Sequence, residues 1–220
     1  MGEFRLSADF AVRPGARVAV IGPSGSGKST LLSLVAGFLM PDQGVVAWDG
    51  RDLGGVAPGK RPVSILFQDQ NLFPHLSVAQ NVGLGVRPDL RLSAEQTDRV
   101  SQAIERVGLS GMEDRRPSAL SGGQQSRVAL ARVLLRARPV LLLDEPFGAL
   151  GPALKIEMLN LLSEIARESG ATVLMVTHDP EDARFFAPET VVVEGGVAHA
   201  PTATGPLLDD PPPGLRAYLG

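Results

Sequence analysis

The sequence predicts an α/β fold, a mostly parallel β-sheet with crossover helices and an inserted α-helical subdomain. Three observations predict it. Short β-branched runs alternate with longer helical patterns along the 220 residues. Most of those runs are apolar at successive positions, as strands covered on both faces are. Between the second and third runs lie about 70 residues with no convincing strand, too long for a simple crossover in a compact domain.

The elements follow in order. Arg17-Val18-Ala19-Val20-Ile21 is the first strand; a glycine-rich turn ends it and a helical pattern over 28–38 follows. The second strand is expected over 63–67. Helices over 93–107 and 122–137 fill the long gap, and strands over 140–143, 172–176 and 190–193 complete the set. The helix over 152–169 is the clearest, since Leu154, Met158, Leu161, Leu162 and Ile165 fall on one helical face. Pro152 sits in its first turn and Gly170 just past its end. Residues 1–68 and 139–220 are therefore read as the core and 69–138 as the helical subdomain. The tail from Pro201, with Asp209-Asp210-Pro211-Pro212-Pro213, is expected to be loosely packed.

Composition narrows the function. Lys plus Arg number 21 and Asp plus Glu 24, a formal charge of −3, so no global basic field exists to hold nucleic acid. Hydrophobic residues make up 44% and charged ones 20%, which excludes disorder despite 25 glycines and 18 prolines. Cysteine is absent, and with it disulfides, thiolate catalysis and cysteine zinc sites. The longest strongly apolar run, 31–40, is well short of the roughly 18 to 20 residues a bilayer span requires. The opening segment carries Glu3 and Asp9 and does not read as a secretory signal. Membranes are expected to matter only through a partner protein.

Gly22-Pro23-Ser24-Gly25-Ser26-Gly27-Lys28-Ser29 matches G-x-x-x-x-G-K-[ST], with a strand before it and a helix after it as the motif requires. The glycines let backbone N–H groups close around phosphate oxygens at a positive helix end. Lys28 then contacts the β and γ phosphates and the Ser29 hydroxyl ligates Mg²⁺. The expected nucleotide-binding set runs from Gly22 through Thr30, on a P-loop NTPase (RecA-like) core. Val140-Leu141-Leu142-Leu143-Asp144-Glu145 reads as a buried strand ending in two carboxylates, costly unless a metal or hydrogen bonds compensate them. In a P-loop fold Asp144 would hold Mg²⁺ and Glu145 would orient or deprotonate the attacking water.

Leu120-Ser121-Gly122-Gly123-Gln124 opens the helix at 122–137. Ser121 reads as its N-cap, and the two glycines leave terminal N–H groups uncovered, a second anion site. A plain capped helix start explains the same residues.

The phosphate loop, this LSGGQ run and the Asp144-Glu145 pair, in this order and spacing, resemble the ATPase subunit of ATP-binding cassette (ABC) transporters over essentially the whole chain. The resemblance implies ATP and Mg²⁺ as cofactors. It also implies a head-to-tail pair of copies, with ATP held between Lys28 of one and Leu120, Ser121, Gly122, Gly123 and Gln124 of the other. Gln68 looks like the glutamine that serves Mg²⁺ and the attacking water, and His178 like the histidine that contacts the γ-phosphate. The catalytic set is thus Glu145, His178 and Gln68, and the metal set Ser29, Gln68 and Asp144. The stretches 61–68 and 71–85 are similar to thiamine importers within that family; iron, sulfate and polyamine importers share much of the pattern and stay open as alternatives. Implied partners are a transmembrane permease and a periplasmic solute-binding protein, at the cytoplasmic face of a bacterial inner membrane. A soluble cassette ATPase acting on nucleic acid and a P-loop small-molecule kinase are the competing classes.

Leu72, Phe73 and Leu76 either form the groove that receives the permease or pack inside the helical subdomain. Two departures from the family stand out. The aromatic that usually stacks on adenine falls at about Met1, with Phe4 as a substitute, and the chain is expected to begin at an internal methionine. Gly148-Ala149-Leu150-Gly151 replaces the usual S-A-L-D, so Gly151 is expected to cap the next helix and to slow hydrolysis while leaving pairing intact. With 220 residues the chain is expected to lack the C-terminal regulatory domain of several importer ATPases.

Overall fold

β-Branched runs covered on both faces make the centre of this computed structural model, which describes residues 4–69 and 71–219. In chain order the strands are β1 (Ser7–Ala8), β2 (Arg17–Ile21), β3 (Ala47–Trp48), β4 (Arg51–Asp52), β5 (Val63–Leu66), β6 (Val140–Asp144), β7 (Thr172–Val176), β8 (Glu189–Glu194), β9 (Val197–Ala198) and β10 (Thr202–Ala203). The helices are α1 (Lys28–Ala36), α2 (Val78–Gly83), α3 (Ala94–Arg106), α4 (Gly122–Arg136), α5 (Pro152–Ser169), α6 (Pro180–Phe186), α7 (Thr204–Asp209) and α8 (Pro213–Leu219). The main sheet runs β1-β9-β8-β2-β7-β6-β5, with β10 on β8, and β3-β4 form a separate pair. The neighbours β8, β2, β7, β6 and β5 are parallel.

One register decides where chemistry can happen. Val20 and Asp144 both pair with Val176, so β2, β7 and β6 end level with one another. Leu66 pairs with Leu143, which brings β5 to the same edge. The turns after all four strands therefore emerge side by side at the carboxyl end of the sheet, where open α/β sheets bind ligands.

Two apolar layers cover the sheet. Leu31, Leu32 and Ala36 of α1 join Val18, Val20, Leu142 and Val176 on one face. Leu130 of α4, Met158 and Leu162 of α5 and Phe186 of α6 join Ile21, Leu143 and Met175 on the other. Residues 78–131 hold a third cluster of their own, built from Val78, Val82, Val100, Ile104, Val128 and Ala131. α4 serves two clusters at once, turning Val128 and Ala131 to the third and Ala129, Leu130 and Val133 to the second.

Several expectations change. The helix expected to reach residue 38 stops at Ala36, because Gly37 adopts φ 87° and its N–H bonds back to Leu34 and Ser33. The fully buried Arg61 then donates to the carbonyls of Leu34 and Val35, satisfying the helix end. The tail from Pro201 is not loosely packed. β10, α7 and α8 occupy it; Thr204 shares a buried hydrogen bond of 2.8 Å with Thr190, and Leu215 is fully buried. Pro213 presets the first turn of α8, and the apolar residues of α7 and α8 rest on the sheet-and-helix core. The short elements α2, α6, β1, β3, β4 and β9 were not expected from the sequence.

Candidate active site

The phosphate loop leaves β2 at the centre of the sheet. Gly22 has φ 148°, and a Cβ there would stand 2.0 Å from the Val193 carbonyl oxygen, so no other residue fits between loop and β8. Gly27, φ 108°, begins α1 without a side-chain cap and with no acidic residue in the first turn, so the N–H groups of that turn stay available to an anion. Lys28 is buried, and its Nζ donates to the Gly22 carbonyl at 2.7 Å and the Pro23 carbonyl at 2.9 Å. Two of its three N–H groups thus pin the loop. Burial pushes the Lys28 ammonium below its usual range, against the pull of Glu145 and Asp144. The Ser26 hydroxyl is buried and has no hydrogen-bond partner among the described residues.

Facing the loop is a cavity of about 620 Å³, within the range that holds a small-molecule ligand. Of the residues 22–30, all but Pro23 and Ser26 contribute to its wall, Thr30 included. Glu145, His178, Phe4 and Tyr218 supply the rest. Phe4, 56% exposed, lies against Gly27 and so borders the loop.

Asp144 and Glu145 end β6 differently. Burial raises the Asp144 carboxyl above its usual range, and a hydrogen bond from the Ser29 hydroxyl works against that rise. Glu145 is a non-glycine residue at φ 46°, held there by its N–H on the Val176 carbonyl at 3.1 Å. Backbone strain of this kind collects at functional sites. The Glu145 carboxylate meets His178 Nδ1 at 3.1 Å, so an acid just past β6 and a histidine from the turn after β7 form one pair. Gly148 is close beside them, since a Cβ there would stand 3.2 Å from His178 Cε1.

Ser29 and Asp144 are hard oxygen donors of the kind Mg²⁺ takes. Among the described residues no group of three or more His, Cys, Asp or Glu could hold a metal alone. That suits Mg²⁺, which commonly uses one or two carboxylates together with substrate phosphates.

The ABC transporter sequence profile matches residues 6–148. This chain belongs to the ABC transporter family. The cassette is 64% identical over 219 residues to the thiamine import ATP-binding protein ThiQ of Cereibacter sphaeroides, covering 100% of this chain and 95% of that one. The protein of the same name from Ruegeria sp. is 56% identical with the same coverage, and that from Brucella suis 50% identical over 220 residues, covering 91% of the relative. Among solved structures, a dimeric ATP-binding cassette in a post-hydrolysis state bound to ADP and Pi matches with TM-score 0.78 at 31% identity over 88% of each chain. The cassette cbiO1 from Clostridium perfringens, part of the ABC transporter complex cbiONQ, matches with TM-score 0.81 at 31% identity over 90% of this chain and 81% of that one. The fold is the α/β P-loop NTPase fold of ABC ATPases. As a member of this family the cassette binds ATP and is an ATPase coupled to transport.

Not every expected residue reaches the cavity of this cassette. Gln68 is exposed just past β5, at the same sheet edge but outside the cavity wall. Leu120, Ser121, Gly122, Gly123 and Gln124 also lie outside it. Ser121 caps α4 as expected, in a capping box where its hydroxyl accepts from the Gln124 N–H and the Gln124 side chain accepts from the Ser121 N–H. The two glycines divide: Gly122 is exposed with open space around it, whereas a Cβ on Gly123 would stand 2.2 Å from Leu154 Cδ2 of α5. Gly151 caps α5 with no side-chain bond, as expected. Of the apolar stretch after β5, Leu72 packs inward while Phe73 is exposed. Among the described residues no helix is long and apolar enough to cross a membrane.

Sequence reading missed two groups. Tyr218, the chain's single tyrosine, lies 40 residues from the histidine whose backbone it bonds, and no local motif marks it. Lys155 bonds Asp179 at 2.7 Å and Asp182 at 3.2 Å, tying α5 to the turn that carries His178. A lysine one turn into a helix gives no sign of that pairing by itself.

Proposed function

We propose that this cassette powers a thiamine importer, as a pair of copies closing head to tail on two ATP molecules at the cytoplasmic face of a bacterial inner membrane. The full-length 64% identity to a thiamine import ATP-binding protein carries the solute assignment. The cavity that joins the phosphate loop to the Glu145–His178 pair supports the chemistry. The partners are a transmembrane permease and a periplasmic solute-binding protein, with exposed Phe73 as a permease contact. Residues 1–68 and 139–220 act as the catalytic core and 69–138 as the helical subdomain.

The chain's own residues divide the work. The loop from Gly22 to Thr30 wraps the triphosphate, and Lys28 offers its remaining N–H to the β and γ phosphates. Glu145 takes the proton of the attacking water, a role its carboxylate fills from a backbone held rigid against β7. His178 orients that carboxylate through Nδ1 and reaches the γ-phosphate from the cavity wall. Ser29 and Asp144 would hold Mg²⁺, with Gln68 as the third candidate; when bound, the ion neutralises charge developing on the phosphate oxygens. Ser121, Gly122 and Gly123 of the partner copy close over the γ-phosphate and exclude water.

The test uses proteoliposomes holding this chain, its permease and its solute-binding protein. Thiamine is expected to stimulate phosphate release and to accumulate inside, whereas iron, sulfate and polyamines do neither. Stimulation by one of those solutes in place of thiamine would overturn the solute assignment.

A further inference from the structure

The turn that carries His178 is held on both flanks, and His178 is held by its ring on Glu145 and, separately, by its backbone carbonyl. Thr177 bonds the Asp182 carboxylate at 3.1 Å, and Asp179 receives Lys155 at 2.7 Å, so both flanks are fixed. The hold on the backbone comes from α8, where the Tyr218 hydroxyl donates to the His178 backbone carbonyl at 3.0 Å. We propose that Tyr218 is a positioning residue for ATP hydrolysis, holding the His178 backbone so that the ring stays on the Glu145 carboxylate.

α8 is placed to do this. Leu215 is fully buried in the cluster that includes Phe186 and Val192, and Gly214 lies so close to Glu194 that a Cβ there would stand 2.3 Å from its carboxylate oxygen. Leu215 and Tyr218 are three residues apart and share a helix face, so the buried anchor sets the height of the hydroxyl. The His178 side chain is 56% exposed, and a side chain with so little packing keeps one orientation chiefly through its backbone and its partner. Tyr218 also lines the cavity beside Lys28 and Glu145. Burial, and then the negative charges of Glu145 and Asp179, hold its phenol above its ordinary range, so it stays a donor through neutral pH.

This inference rests on the reading of His178 as part of the hydrolytic machinery, and the experiment separates the two. Tyr218→Phe keeps the ring and removes the donor. We expect kcat for ATP hydrolysis to fall about fivefold, the loss of one net hydrogen bond, with KM within about twofold. The chain has three histidines, His75, His178 and His199, so ring resonances in a histidine-labelled sample are assignable by single substitutions. Those of His178 should shift in Tyr218→Phe while the other two stay in place. An unchanged kcat with unmoved His178 resonances, beside an impaired His178→Ala variant, would overturn the role of Tyr218 alone. Full-rate hydrolysis by His178→Ala would overturn the reading of His178 instead. A variant with raised KM and unchanged kcat would make Tyr218 a nucleotide-binding residue and also overturn the proposal.

Discussion

The two helix starts proposed to hold phosphate are built in opposite ways. α1 begins at Gly27 with no side-chain cap and no acid in its first turn, and its loop lines a cavity closed by Glu145 and His178. α4 begins at Ser121 inside a reciprocal capping box, exposed and outside that cavity. An anion site completed within one chain can leave its terminal N–H groups to the ligand. A helix end on the surface has to satisfy some of its own donors to persist until something docks on it. On the proposed reading the first serves its own chain's nucleotide and the second that of a partner copy, which fits its place outside this cavity.

Glu145→Gln should break the complete half most severely. Phosphate release is expected to fall about a thousandfold, the middle of the range for a lost general base, while equilibrium ATP binding persists because Lys28 and its loop are untouched. A variant within tenfold of the parent would contradict this. At the other end, Gly123→Ala drives a methyl group against Leu154 of α5. Overpacking there should cost about 1 kcal/mol, a Tm lower by about 2–4 °C. Gly122→Ala meets open space and should hold or raise Tm, so calorimetry of the two variants separates packing from ligand contact within one motif.

Gly151→Asp restores the residue usual in the turn after Glu145 and should raise turnover a few-fold with little change in stability, read by steady-state phosphate release. A variant no faster than its parent would remove Gly151 from the coupling of the two ends. Lys155→Met acts on stability through charge. Burial lowers the Lys155 value, but its bonds to Asp179 and Asp182 outweigh that and leave it raised; for Asp179, burial is outweighed by Lys155 and the Glu181 N–H, leaving it depressed. A raised lysine stabilises below its unfolded value near 10.4 and loses this as pH climbs past the folded one. A depressed aspartate stabilises above about 3.9 and loses this as pH falls past its folded value. The pair therefore works at neutral pH, and the variant should lower Tm by about 3 °C at pH 7 and by less in acid, a difference that thermal melts across pH would show.

Much of this was legible because it is local. The phosphate loop, the strand ending in Asp144 and Glu145, and the Ser121 cap each lie within a few consecutive residues, and strands buried on both faces announce a parallel sheet. Even α2 carries its own sign, Ser77 and Gln80 in a capping box, although six residues are too few for periodicity to reveal. The tail was misread because Asp209-Asp210-Pro211-Pro212-Pro213 looks unstructured, when a proline at the head of α8 is a helix start. Contacts between distant segments, such as Tyr218 with His178 or Lys155 with Asp179, depend on how the elements pack and leave no pattern in the chain. Gln68 shows the converse limit: its strand fixes the sheet edge it occupies, while its side chain stands outside the wall.

Ser121→Asp, assayed for ATP binding and for hydrolysis on the same sample, bears most directly on whether each reaction centre needs two chains. Aspartate caps α4 as well as serine does, so the fold is preserved, and on the proposed pairing the new charge faces phosphate only across two copies. Binding should remain within about threefold of the parent while hydrolysis falls about a hundredfold, as for a lost transition-state donor. Hydrolysis at the parent's rate would contradict the two-chain site.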